Sequence, residues 1–160
     1  MAGSKSNYLS LALLDHVLGK SRSGGGFTYS APTTVYLGLW ITGLNDTASG
    51  VTAGEPGSNG NGAGASAYGY ARVAVTNNAA NWPDAAGGGT AEKHNGAAIT
   101  FGSASGGDWG TVTQFALLDA GPTSKQAANI LYWSDLTTSK TIAAGDTASF
   151  GIGAISITEN

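Results

Sequence analysis

The sequence predicts a mainly β domain, an antiparallel β-sandwich or barrel-like fold with one short N-terminal α-helix. Three observations predict it. Apolar, β-branched and aromatic residues recur in runs of strand length, most clearly WGTVTQFALLD (109–119), NILYWSDL (129–136) and DTASFGIGAISIT (146–158), as in strands that bury a face. Turn residues separate these runs at spacings typical of antiparallel sheets. Only residues 7–18 combine helical patterning with end signals. Six to eight strands are therefore expected in a chain of 160 residues, long enough to bury a core without staples. The expected organisation is a helix and flexible linker over 1–26, then one sandwich domain over 27–160 with long glycine-rich loops at 43–67 and 77–96.

In the helical segment NYLSLALLDHVL, Ser6 or Asn7 supplies an N-cap and Gly19 a left-handed C-cap. Leu9, Leu11, Leu13, Leu14, Val17 and Leu18 cover a little over half of its circumference, interrupted only by Ser10. An apolar face that broad must be buried on more than one side. The helix either packs on its own sheet or inserts into a partner subunit, and the linker KSRSGGG (20–26) permits both. These six residues are the candidate partner-binding surface.

The strand TVYLGLWI (34–41) carries Val35, Leu37, Leu39 and Ile41 on one face and Tyr36 and Trp40 on the other. A strand apolar on both faces is central, or has a partner outside the chain. The stretch 43–67 is too poor in apolar residues to fold alone and reads as a surface loop or as an arm ordered by a neighbouring subunit. YGYARVAVT (68–76) alternates as a strand, with Val73 and Val75 opposite Tyr68, Tyr70 and Arg72. Arg72 is read as part of an ordinary exposed face, stacking on tyrosines or pairing with a carboxylate being the alternative. In the second loop Trp82 precedes Pro83 among small residues; it covers a core edge or makes a subunit contact, for which it is the second candidate. A strand then resumes over 97–101. In the last run, Phe150 and Ile152 have opposite parity to Ile155 and Ile157, which predicts a β-bulge between Gly151 and Gly153.

Composition narrows function. Charged residues make up 11% of the chain, with 26 glycines and a net charge of -3, against roughly 25% charged residues in an average soluble protein. So low a charge suits a surface covered by neighbours, and the absence of basic runs argues against a nucleic-acid partner. There is no cysteine, hence no disulfide framework and no thiolate metal site. The N-terminus lacks the form of a cleavable signal, and no stretch approaches the ~18 apolar residues of a membrane span; no membrane partner is expected.

Chemistry-bearing patterns are sparse. His16 and His94 have no zinc spacing, GSASG (102–106) places alanine where a nucleophile elbow needs serine, and GNGAG (60–64) lacks the lysine and third glycine of phosphate-binding loops. Asp108, Asp119, Asp135 and Asp146 lie at strand ends beside small residues, where aspartate serves turns rather than a glycosidase pair. No catalytic residue, cofactor or metal is expected.

Five segments in collinear order, NYLSLALLDHVLG (7–19), APTTVYLGLW (31–40), YARVAVTNNAANWP (70–83), WGTVTQFALLDA (109–120) and ILYWSDLTTSKTIAAGDTASF (130–150), resemble a family of small tailed-bacteriophage virion proteins labelled tail fibre or capsid accessory proteins. The glycine-rich insert at 59–65 departs from that pattern. The resemblance implies a non-enzymatic virion subunit in many copies, assembled in the host cytoplasm. With no internal repeat to build a shaft, the first reading is a capsid decoration or cement protein binding the major capsid protein or another virion subunit. The alternative is a tail fibre or head-spike component that binds host-surface carbohydrate. Low charge and the two-faced strand also lead us to expect a homotrimer.

Overall fold

Alternating apolar residues sort the chain into nine strands and one helix among the described residues of the computed structural model, which are 4–18, 30–48, 54–56, 67–85, 91–121 and 128–159. In order these are β1 Ser4–Lys5, α1 Asn7–Leu18, β2 Thr34–Trp40, β3 Val73–Thr76, β4 Ala91–His94, β5 Ile99–Ser103, β6 Gly110–Leu118, β7 Ile130–Ile142, β8 Thr147–Phe150 and β9 Ser156–Glu159. Antiparallel pairing builds one five-stranded sheet in the order β1-β7-β6-β2-β3 and two ribbons, β4-β9 and β5-β8. The large sheet is open, which removes the closed-barrel form and leaves a mainly β, layered fold.

The two-faced β2 is central, between β6 and β3. Its Val35, Leu37 and Leu39 join Phe115, Leu117 and Leu131 on the first face of the sheet and share a core with Ile99, Phe101, Phe150 and Ile155 of the second layer. Phe115 and Phe150 meet across the layers with ring centroids 5.4 Å apart, and Tyr70 meets Trp109 edge-on at 5.3 Å. On the second face Trp40, Ala116, Leu118 and Ile130 pack with Leu44 and Ala128. Each large side chain so buried contributes about 1.5–3 kcal/mol, so covering both faces of one strand weighs heavily in a domain of this size.

Four elements differ from the local pattern. The strand expected over 68–76 is shortened to β3, because Tyr68 and Gly69 adopt positive φ of 60° and 72° and turn the chain at a 3₁₀ corner, Ala67–Gly69. There the carbonyl of Tyr68 accepts from Trp109 Nε1 and from the Ser105 amide, both at 2.8 Å. The second loop contains β4, whose polar sequence AEKH hides it from a hydrophobicity reading while it pairs with β9. β7 runs six residues past the expected end at Leu136; from Val112↔Lys140 to Gln114↔Asp135 the register steps two residues on β6 against five on β7, so the extra length is taken up in an irregularity.

The last run is not one bulged strand. Residues 151–154 form a turn, with Gly153 at φ 72° and the Ala154 amide donating to the Gly151 carbonyl at 3.1 Å. β8 then pairs with β5 and β9 with β4. The parity change that predicted a bulge is the chain passing from one ribbon to the other.

Candidate attachment surface

Helix α1 begins where its first residues are tied to the sheet. Ser6 is 1% exposed; its Oγ accepts from the Leu9 amide at 3.2 Å and donates to the Ile130 carbonyl, the N-cap geometry that satisfies an otherwise free amide. The Ser6 amide donates to Leu131 O and the Asn7 amide to Asp46 O, at 3.1 and 2.9 Å. Asp46 Oδ1 also accepts from Trp133 Nε1 at 3.1 Å. The helix start is thus held by β7 and by the loop that follows β2.

From this fixed start the leucines divide. Leu9 and Ala12 are buried, and Tyr8 and Leu13 pack half-buried against the main core. Leu11, Leu14 and Leu18 are 42%, 57% and 72% exposed. Their spacing of three and four residues aligns them in one stripe along the outer side of the helix. The side chain of Val17 lies outside the described residues. Ile152 is the one other large apolar side chain exposed among the described residues, so the stripe is the principal apolar patch that these residues present.

The second site is buried, and it corrects the reading of Arg72 as part of an exposed face. Arg72 is 6% exposed and forms a two-pronged ion pair with Glu55, Nε to Oε1 at 2.8 Å and Nη2 to Oε2 at 2.9 Å. Tyr70 donates to Glu55 Oε1 at 2.9 Å and accepts from the Leu39 amide at 2.8 Å. The Arg72 guanidinium lies 5.8 Å from the Trp40 ring centroid, and Nη1 donates to Ala120 O at 3.3 Å. Burial, and after it the Glu55 charge, push the Tyr70 phenol well above its ordinary value of 10, so it remains a donor to the carboxylate. Removing one member of such a pair leaves an uncompensated buried charge, at a cost of about 3–5 kcal/mol. Glu55 escaped the sequence reading because it lies in a glycine-rich stretch; the accessible signal was an arginine following two tyrosines on one strand face in a chain with few charges.

The family described as Podophage GP4 fiber I protein gp80 matches residues 4–158, nearly the whole chain and both of the sites just described. The chain belongs to this family. It is a small structural protein of a tailed phage, and its place is the virion. No curated protein matches it.

Within this fibre family member, the remaining candidate residues have structural partners. Trp82 is 5% exposed and sits in the core, beside a cleft of about 120 Å³ that Val35, Leu131, Tyr132 and Ile157 also line. The indole N–H groups of Trp82 and Trp40 are buried without a hydrogen-bond partner, a cost of about 1–3 kcal/mol each that the apolar contacts of both rings offset. Among the described residues Trp40, Tyr70, Trp82 and Trp109 are buried, while Tyr8, Tyr36, Tyr68, Tyr132 and Trp133 are half-buried.

Asp108, Asp119 and Asp146 hold turns and strand ends as expected, whereas Asp135 lies inside β7, which runs on past the expected end at Leu136. Asp146 Oδ2 and Asp108 Oδ1 accept from the amides of Ala143 and Ala144 at 3.0 and 2.7 Å. Asp119 accepts from the Asn129 amide at 2.7 Å and from its side-chain Nδ2 at 2.8 Å. Asp135 accepts from Gln114 Nε2 at 2.9 Å. His16 and His94 are exposed; among the described residues no three His, Asp or Glu side chains gather as metal ligands, and no helix is long and apolar enough to cross a membrane.

Proposed function

We propose that this protein is a non-enzymatic fibre component of the virion, attached to a neighbouring virion subunit by the outer stripe of α1, Leu11, Leu14 and Leu18. The stripe on a helix anchored at its N-terminal end carries the reading. The family description favours a fibre role over capsid decoration. The described residues form one layered domain with no repeat along an axis, which suits the base or tip of a fibre better than its shaft.

Magnitudes set how attachment works. Three partly exposed leucines contribute no more than about 1.5–3 kcal/mol each on burial, while a micromolar contact requires about 8 kcal/mol after the cost of association. One stripe alone is a weak grip. Several copies bound together gain ~10²–10⁴ in apparent affinity, so the reading includes self-association, as a homotrimer. The second face of β2 is taken up within the chain: Trp40 is covered by the chain's own Leu44, with Arg72 of the same chain beside the ring.

The test is particle incorporation of a Leu14→Ser/Leu18→Ser double variant, checked for folding by circular dichroism and for oligomeric state by light scattering. The variant is expected to fold, to keep the wild-type oligomeric state and to be missing from purified particles. Incorporation at the wild-type copy number would refute the attachment role, and electron microscopy of labelled particles distinguishes a fibre position from a capsid one.

A further inference from the structure

The buried ion pair and the start of α1 are held by one packed unit. On the second face, Trp40 beside Arg72 belongs to the same cluster as Leu44 and Ile130. Ile130 O receives the Ser6 hydroxyl that caps α1. Two residues beyond Leu44, Asp46 accepts from the Asn7 amide and from Trp133 Nε1. Leu44 is itself held by Gln114, whose Oε1 accepts its amide at 3.0 Å. At the other end of the cluster, Gly54 O accepts from the Ile41 amide at 2.7 Å, extending the edge of β2 where β3 no longer pairs with it.

Backbone shape confirms that 54–56 is fitted to this place. Gly54 has φ 137°, and a side chain there would run into the Thr42 carbonyl. A methyl on Gly38 would sit 2.6 Å from the Trp40 ring and 3.2 Å from Glu55 Oε1. Glycine is required at both positions for the carboxylate to reach Arg72 over the ring.

We propose that Glu55 is a latch: its ion pair with Arg72 seats segment 54–56 on the second face, and through Trp40, Leu44 and Asp46 that seating fixes the start of α1 and so the presentation of the leucine stripe. The inference rests on the stripe being the attachment surface. It adds a determinant remote from that surface, a carboxylate in the 43–67 stretch. The coupling runs through packed side chains and hydrogen bonds that the latch and the helix start hold in common.

Native-state amide exchange in the Glu55→Gln variant of the full chain tests it. Exchange at Ile41, which reports the seat of 54–56, and at Asn7, which reports the helix start, is expected to rise together by about tenfold or more, as for a local unit that opens cooperatively. The Asn95 amide, bonded to Ile155 O on the opposite layer, should keep its protection. A rise at Ile41 with none at Asn7 refutes the coupling; no rise at either refutes the latch; an equal rise at Asn95 shows global loss rather than a separable unit. Should Glu55→Gln fail to fold, Glu55→Asp keeps the charge, shortens the reach and is read at the same three amides. The readout is made on free protein, so it stands apart from particle incorporation, where the leucine variants alone decide the attachment reading.

Discussion

Asn95 and Ile155 clasp each other in both directions: the Asn95 amide donates to Ile155 O at 3.2 Å, and the Ile155 amide donates to Asn95 Oδ1 at 2.8 Å. Asn95 Nδ2 completes the knot with bonds to Ala97 O and Gly151 O, each 2.8 Å, and its backbone carbonyl accepts from Gly153. Both residues are 0% exposed. One asparagine therefore organises the turn at 151–154 and sets the point where the chain leaves one ribbon for the other.

Replacing it exposes what that clasp contributes. Asn95→Ala leaves the buried Ile155 amide without its acceptor, at about 1–3 kcal/mol, and removes two part-buried bonds to Ala97 O and Gly151 O worth about 0.5–1.5 kcal/mol each. A loss of about 3 kcal/mol or more is expected in urea unfolding, while Asn78→Ala, at an exposed turn, should cost far less. Equal losses would show that the clasp has no special weight.

The leucines of α1 should separate by the side they face. Leu9→Ala removes a fully packed side chain and is expected to cost about 2–5 kcal/mol. Leu14→Ser and Leu18→Ser, on the exposed stripe, should change stability by no more than about 0.5 kcal/mol. Thermal unfolding of the three variants checks this, and a large loss in either serine variant would mean that the stripe is already covered within the chain.

Tyr70 predicts an alkaline limit to stability. Its folded phenol is held above the ordinary value of 10 by burial and by Glu55, so above that pH the unfolded chain loses a proton that the folded chain retains. Stability from this group is complete below pH 10 and falls as pH rises beyond it. Stability measured by denaturant should decline from about pH 10 upward, with a shallower decline in Tyr70→Phe; identical slopes would remove Tyr70 from the linkage.

Gly38→Ala tests the fit around the latch from its other side. The added methyl meets the Trp40 ring and Glu55, and overpacking of this kind costs about 1–3 kcal/mol. A shift in Trp fluorescence together with a lower unfolding midpoint is expected, and wild-type values for both would show that the niche has room to spare.

What could be read without a structure was whatever depends on near neighbours in the chain. The helix over 7–18 is present with those bounds because a cap at Ser6 and helical propensity act within a few residues. The central strand was legible because apolar side chains on both of its faces must be buried. The tailed-phage virion assignment came from the order of five segments and agrees with the family match. Pairings between distant residues were not legible. Glu55 and Arg72 are seventeen residues apart and meet only once the sheet brings β2 and the residues before β3 together; the polar β4 is a strand only because β9 lies beside it. Nor could the pattern divide α1 into a core side and an outer side, since leucines occur on both. Burial depends on what packs against a side chain, and that is settled by tertiary contact with β7, which takes Leu9 and Ala12 inward and leaves Leu11, Leu14 and Leu18 facing out.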